Sequence, residues 1–250
     1  MIVQKETWAG ISLLHISATQ FEKDAPVMIF LHGFMSGKEH NLHYAYNLVE
    51  QGVRVLLPDA LYHGEREEGL NEPQMNMAFW KIVFQNIKEV GMLYEELEAR
   101  GYTGKVAVGG TSMGGITTAG CLMTYNWIES AAVLMGAVSY NRLFETQLLE
   151  LQQLGVKLPM SEEELVAFRT ELAKYDAFQQ AEAFERVPIF FWHGKQDPRV
   201  PFVMSHEFYA AQLAAGKAEN LEYMEDTRAG HAVSRAGMLK MVDFVAQHLA

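Results

Sequence analysis

Short, largely apolar runs alternate with longer amphipathic stretches along most of this chain. Residues 27–31 (VMIFL), 53–57, 106–109, 130–135 and 187–192 are such runs, the pattern of strands covered on both faces, and 221–224 is the last strand predicted. Near the start, 2–7 and 11–17 read as two strands meeting at Ala9-Gly10, an antiparallel hairpin. Helical polarity predicts 39–51, 74–100, 115–123 and 232–248. In the second of these, Phe79, Ile82, Val83, Ile87, Val90, Leu93 and Leu97 recur at three- and four-residue steps; in the last, Met238, Met241, Val242 and Val245 form the inner side. Strand and helix alternate six times after the hairpin, so the chain is predicted to be α/β, with a mostly parallel sheet and helices on both faces.

One stretch breaks the alternation. Residues 141–185 hold two helical patterns with no strand between them. The first aligns Phe144, Leu148, Leu151 and Leu154; the second carries Leu165, Phe168 and Leu172 after Ser161, whose spacing to Glu164 is that of a capping box. An insertion after a strand's carboxyl end lies above that edge of the sheet. The expectation is therefore one domain, 1–250, with a small helical cap at about 141–185. Phe144 and Leu148 are candidates for a substrate pocket, and the same stripe is also the cap's natural seat.

Composition narrows the function. With 250 residues, 49% of them hydrophobic, the chain can bury one sizeable core. Twenty basic residues face 31 acidic ones, a formal net charge of −11, and there is no basic cluster. A nucleic-acid or anionic-membrane partner is therefore not expected. The amino terminus has no basic n-region followed by an apolar run, and no stretch reaches the roughly 20 apolar residues of a membrane span, so a cytoplasmic protein is expected. The one cysteine, Cys121, forms no internal disulfide and reads as a small core residue.

The chemistry centres on Gly110-Thr111-Ser112-Met113-Gly114, which has a strand pattern before it and a small-residue helix after it. Strand, sharp turn and helix with Ser at the apex make a nucleophile elbow, which exposes the hydroxyl at the carboxyl edge of the sheet. A serine hydroxyl needs an adjacent base, and the base an orienting acid. His231, between the last strand and the last helix, is preferred as the base over His206, inside a helix, and His248, at the terminus. Asp197 follows the preceding strand and completes the chain order Ser, Asp, His; Asp226 is the second choice of acid. The backbone N–H groups of Met113 and Phe34 are the expected oxyanion donors, Phe34 lying in the loop after the 27–31 strand. His40 and His43, with Glu39 and His63, lack the i, i+4 pair of H-E-x-x-H, so no metal is expected. Arg66 is either a grip for a substrate carboxylate or, more simply, the partner of a nearby Glu.

These blocks resemble the α/β-hydrolase superfamily along nearly the whole chain, from Val27-Met28-Ile29-Phe30-Leu31-His32-Gly33-Phe34 through Gly110–Gly115 to Trp192-His193-Gly194-Lys195-Gln196-Asp197 and Gly230-His231. The wording is most similar to small bacterial esterases of the dienelactone-hydrolase and prolyl-oligopeptidase-like group. That resemblance implies an eight-stranded sheet with its second strand antiparallel, and no metal or organic cofactor. It also implies a small-molecule ester as partner and a monomer or homodimer. His32 and Gly33, with Phe144 and Leu148, are the expected substrate contacts. Dienelactone hydrolase itself uses a cysteine where this chain has Ser112, which favours an ordinary ester or thioester; a dehalogenase would need Asp there. The expected activity is hydrolysis of small carboxylic esters through an acyl-enzyme on Ser112. Thioester or short-peptide hydrolysis and a non-catalytic ligand receptor are the alternatives.

Overall fold

The apolar runs become the strands of one sheet, seen in a computed structural model that describes residues 1–156 and 158–250. Among the described residues these are β1 (Ile2–Trp8), β2 (Ile11–Ser17), β3 (Val27–Leu31), β4 (Arg54–Pro58), β5 (Val106–Thr111), β6 (Ile128–Leu134), β7 (Ile189–Gly194) and β8 (Leu221–Asp226). Their order across the sheet is β1-β2-β4-β3-β5-β6-β7-β8. β2 is antiparallel to both β1 and β4, and every other neighbouring pair is parallel. The mostly parallel eight-stranded sheet with a reversed second strand is thus observed.

The helices are α1 (Leu42–Glu50), α2 (Glu72–Ala99), α3 (Met113–Thr124), α4 (Tyr140–Gln153), α5 (Glu162–Ala173), α6 (Glu182–Glu185), α7 (Val203–Ala214) and α8 (Arg235–Leu249). Strand side chains alternate between the two faces. Val27, Ile29 and Leu31 of β3 enter one core with Ile82 and Ile87 of α2 and Ile116 of α3. Met28 and Phe30 enter a second core with Leu48 of α1 and Met241 and Val245 of α8. Burial on both faces is why the central strands read as unbroken apolar runs. β1, at one edge, keeps its charged and polar side chains in solvent, which discourages pairing with another chain.

Several boundaries differ from the periodicity, for physical reasons. α2 begins at Glu72 because Asn71 and Gln74 form a capping box, with Pro73 in the first turn. α8 begins only at Arg235, where the Ser234 hydroxyl accepts from the Gly237 N–H at 3.2 Å. α3 begins at once after Ser112, two residues before the predicted start at 115, and takes in Gly114 of the turn motif.

α4, α5 and α6 all fall between β6 and β7 and span 140–185, one residue beyond the insertion predicted over 141–185; Lys157 of that stretch lies outside the described residues. The capping box at α5 forms, with the Ser161 hydroxyl accepting from Glu164 N–H at 3.2 Å and the Glu164 carboxylate accepting from Ser161 N–H at 2.7 Å. α4 is fastened to α2: Phe144 meets Trp80 with ring centroids 6.5 Å apart, and the Trp80 indole donates to the Gln147 side-chain oxygen at 2.8 Å. Among the described residues no helix is long and apolar enough to cross a membrane.

Candidate active site

β5 occupies the middle of the sheet, between β3 and β6, and ends one residue before Ser112. Ser112 has φ 55° and ψ −117°, a conformation that costs a non-glycine residue about 1–3 kcal/mol. Its neighbours hold it there. The Ser112 N–H donates to the Leu134 carbonyl at 2.9 Å, and its own carbonyl accepts from Ile116 N–H at 2.9 Å. The flanking glycines are required by crowding: a side-chain carbon at Gly110 would lie 2.5 Å from the Leu31 carbonyl oxygen, and one at Gly114 would collide with the same atom.

The loops after β7 and β8 bring Asp197 and His231 to this apex. Ser112 Oγ is 2.8 Å from His231 Nε2, and His231 Nδ1 is 2.7 Å from Asp197 Oδ2. With the carboxylate beside Nδ1, that nitrogen carries the proton and Nε2 is left to accept from the hydroxyl. The Asp197 side chain is fully buried and that of His231 is 17% exposed. Asp197 Oδ1 accepts from the Arg199 and Val200 N–H groups at 2.9 and 3.0 Å, closing the turn on which the residue sits. Burial by itself would raise the pKa of this carboxyl, but hydrogen bonds from His193, His231 and the two backbone donors outweigh it and hold the group well below the usual carboxylate range. The tight spot of the His231 loop is Gly194, where a side chain would strike the Ala229 carbonyl; Gly230, read from the sequence as the turn-making residue, takes no left-handed conformation.

His193 also belongs to this site, although the sequence alone assigns it no role. It is buried, with Nε2 3.3 Å from Asp197 Oδ2 and 2.9 Å from the Val200 carbonyl, while Nδ1 meets Ser205 Oγ at 3.0 Å. A histidine ending a buried strand, four residues before the candidate acid, was the available signal.

On the other side of Ser112, a side-chain carbon on Gly33 would sit 3.4 Å from the Ser112 Cβ, so the Gly33-Phe34 backbone borders the Ser112 side chain. Met113 is the first residue of α3, where an N–H has no acceptor within the helix. His32 requires a correction. It is 2% exposed, its Nδ1 donates to the Gly33 carbonyl at 2.8 Å and its Nε2 accepts from Ala60 N–H at 3.0 Å, so both ring nitrogens serve the backbone and neither faces a substrate. Burial pushes its pKa down to about 4, against the opposing effect of the Gly33 carbonyl. Phe144 and Leu148 also change role. At 4% and 8% exposure they pack in the same core as α2, with the Phe144 ring 4.9 Å from that of Phe168, and seat the inserted helices instead of walling a pocket.

The remaining candidates have other partners. Asp226 Oδ1 accepts from Arg228 and Ala229 N–H and caps its own loop. His206 of α7 stacks on Phe202, the residue just before that helix, and His248 donates to the Phe244 carbonyl. Arg66 makes a two-pronged pair with Glu89 of α2, 2.7 Å at each nitrogen, and not with a carboxylate near it in sequence. His40 pairs with Ser36 and His43 lies against Tyr44. Cys121 is buried in the core, which pushes its thiol pKa up.

The strand order, the elbow at the centre of the sheet and the loops converging on it define an α/β-hydrolase. The sequence pattern of the prolyl oligopeptidase family matches residues 84–250. YitV of Bacillus subtilis (strain 168), named for esterase activity, is 38% identical over 252 residues, covering 99% of each chain. Esterase YjfP of Escherichia coli (strain K12) is 27% identical over 250 residues, again 99% of each. Among solved structures, TT1662 from Thermus thermophilus superposes with a TM-score of 0.77 at 21% identity, over 99% of this chain and 98% of that one, a likeness of fold. This chain belongs to the prolyl oligopeptidase family.

Proposed function

We propose that the protein is a serine esterase acting on small carboxylic esters. The observation that carries this reading is the unbroken hydrogen-bonded series from Ser112 Oγ through the His231 ring to Asp197, at 2.8 and 2.7 Å. In the proposed reaction the Ser112 oxygen attacks the ester carbonyl carbon while its proton passes to His231 Nε2. Asp197 keeps the ring in the accepting tautomer and stabilises the imidazolium. The Phe34 and Met113 N–H groups receive the oxyanion. Collapse breaks the acyl–oxygen bond, the alcohol leaves with the proton from His231, and water repeats the sequence to free the acid. Residues 141–185 form a small cap on a single hydrolase domain, seated through Phe144 and Leu148.

Family membership favours a second reading, cleavage of short peptides by the same residues. The esterase names of both full-length relatives favour the ester. The test is stoichiometric labelling by a fluorophosphonate together with turnover of p-nitrophenyl esters graded by acyl length and of short peptide amides. Ser112→Ala should abolish labelling and lower turnover on the order of 10⁴-fold or more with the fold intact. Retention of more than a tenth of wild-type turnover would remove Ser112 as the nucleophile, and faster cleavage of the amides would favour the peptide reading.

A further inference from the structure

The backbone around Phe34 is held by two imidazoles from opposite directions. The peptide that carries the Phe34 N–H has the Gly33 carbonyl at its other end, and that oxygen accepts from His32 Nδ1 at 2.8 Å and from Ser36 N–H at 3.2 Å. The next peptide presents the Met35 N–H, which donates to His63 Nε2 at 3.0 Å. His63, 3% exposed, is fixed in turn by Nδ1 donating to the Leu61 carbonyl at 2.8 Å. The two rings meet edge to face with centroids 5.1 Å apart, and the Phe34 ring lies 5.6 Å from that of His63. Each ring crosses between the loops after β3 and β4, His32 reaching Ala60 and His63 reaching Met35, and the buried pair of Lys38 Nζ with Asp59 at 2.5 Å ties the same loops together farther along.

This stitching has a specific object. Met35 has φ +56°, a left-handed conformation that a long unbranched side chain adopts only under restraint. Were the Met35 N–H free, relaxation of that residue would rotate the adjoining peptides and swing the Phe34 N–H away from Ser112. A peptide plane is rigid, so fixing the Gly33 oxygen on one side and the Met35 N–H on the other fixes Phe34 between them. Among the described residues the Phe34 N–H has no hydrogen-bond partner, so it stays free to donate beside Ser112.

We propose that His63 is a positioning residue for the oxyanion donor: in its neutral Nδ1–H tautomer it holds the Met35 amide and so, together with His32, presets the Phe34 N–H. This rests on the reading of Phe34 as an oxyanion donor for Ser112. Losing a donor outright costs about 10²–10³-fold in kcat, so a donor misplaced but present costs less.

His63→Leu should lower kcat roughly 10- to 100-fold with KM within about threefold, and weaken binding of a trifluoromethyl ketone, whose adduct with Ser112 carries the oxyanion, by the same factor as kcat. His63→Gln, whose amide oxygen can accept from Met35, should recover most of both. The same series is run beside Ser112→Ala. An active Ser112→Ala defeats the serine mechanism itself. An inactive Ser112→Ala with a His63→Leu variant that keeps its kcat, or that loses kcat without losing ketone affinity, overturns the positioning role alone. Because His63→Leu could fail to fold, ¹⁵N shifts of the wild-type imidazole give an independent check. Protonation at Nδ1 with Nε2 bare is expected, and a ring protonated at Nε2 overturns the proposal.

Discussion

Replacing Asp197 by Asn tests the triad at its least obvious member, and the structure sets the size of the effect. Asparagine is nearly isosteric, so the question is which way its amide points. Oδ1 of Asp197 serves two backbone donors, Arg199 and Val200, and Oδ2 serves the His231 and His193 rings. If the amide oxygen stays with the backbone donors, its NH₂ faces His231 Nδ1. The ring then relieves the donor–donor clash by moving its proton to Nε2, where it can no longer accept from Ser112. The productive alternative turns the amide oxygen to His231 and leaves two N–H groups facing an NH₂. Each orphaned donor costs about 1–3 kcal/mol, so that orientation lies roughly 2–6 kcal/mol higher. At about 1.4 kcal/mol per decade, the productive form is populated between roughly 1 in 30 and 1 in 10⁴. The expected loss in kcat for p-nitrophenyl acetate is therefore roughly 30-fold to 10⁴-fold, with native circular dichroism. Asp226→Asn is the control, because Asp226 uses one oxygen toward two backbone N–H groups and an amide oxygen can do the same. A loss under about tenfold for Asp197→Asn, or a larger loss for Asp226→Asn, would refute this reasoning.

Phe144→Ala should cost about 3–5 kcal/mol as a buried truncation, which in a chain of this size lowers Tm by roughly 6–20 °C, while the preferred acyl length stays unchanged. A shifted length optimum with an unchanged Tm would return Phe144 to a pocket wall. Acid should destabilise the fold through His32: its folded pKa of about 4 lies below the unfolded value near 6.5, so as pH falls through that window the unfolded chain takes up the proton first and stability drops by roughly 3 kcal/mol, with no further change below it. Urea unfolding at pH 7 and pH 4 measures this, and a His32→Gln variant with the same pH dependence as wild type would sink the assignment.

The sheet and the chain order of Ser112, Asp197 and His231 were legible because each rests on a local signal. An apolar run, a glycine-flanked serine, and an acid or base in the loop after a strand need no knowledge of the rest of the chain. His32 was identified by position but not by role, since the direction of its ring depends on where Ala60 arrives, 28 residues later. The stripe holding Phe144 and Leu148 was visible as a stripe, but its orientation is decided by Trp80 on α2, an element whose packing the periodicity does not specify. Arg66 and Lys38 illustrate the same limit. Both find buried carboxylates, Glu89 and Asp59, 23 and 21 residues away.

The three residues of the triad hang from very different parts of the sheet. Ser112 follows β5, flanked on both sides by paired strands, whereas His231 follows β8, which has only β7 beside it and is mostly half-exposed. Local opening begins where the ladder has one neighbour and little apolar cover. Fraying of β8 should withdraw the His231 imidazole while the turn carrying Ser112 stays folded, so that Ser112 keeps its place after His231 has lost its own. Under mild heat or denaturant the protein should therefore pass through a form that is silent in turnover yet intact by any probe of its centre, and amide exchange should be faster at β8 than at β5. Inactivation in such a molecule reads the stability of its rim.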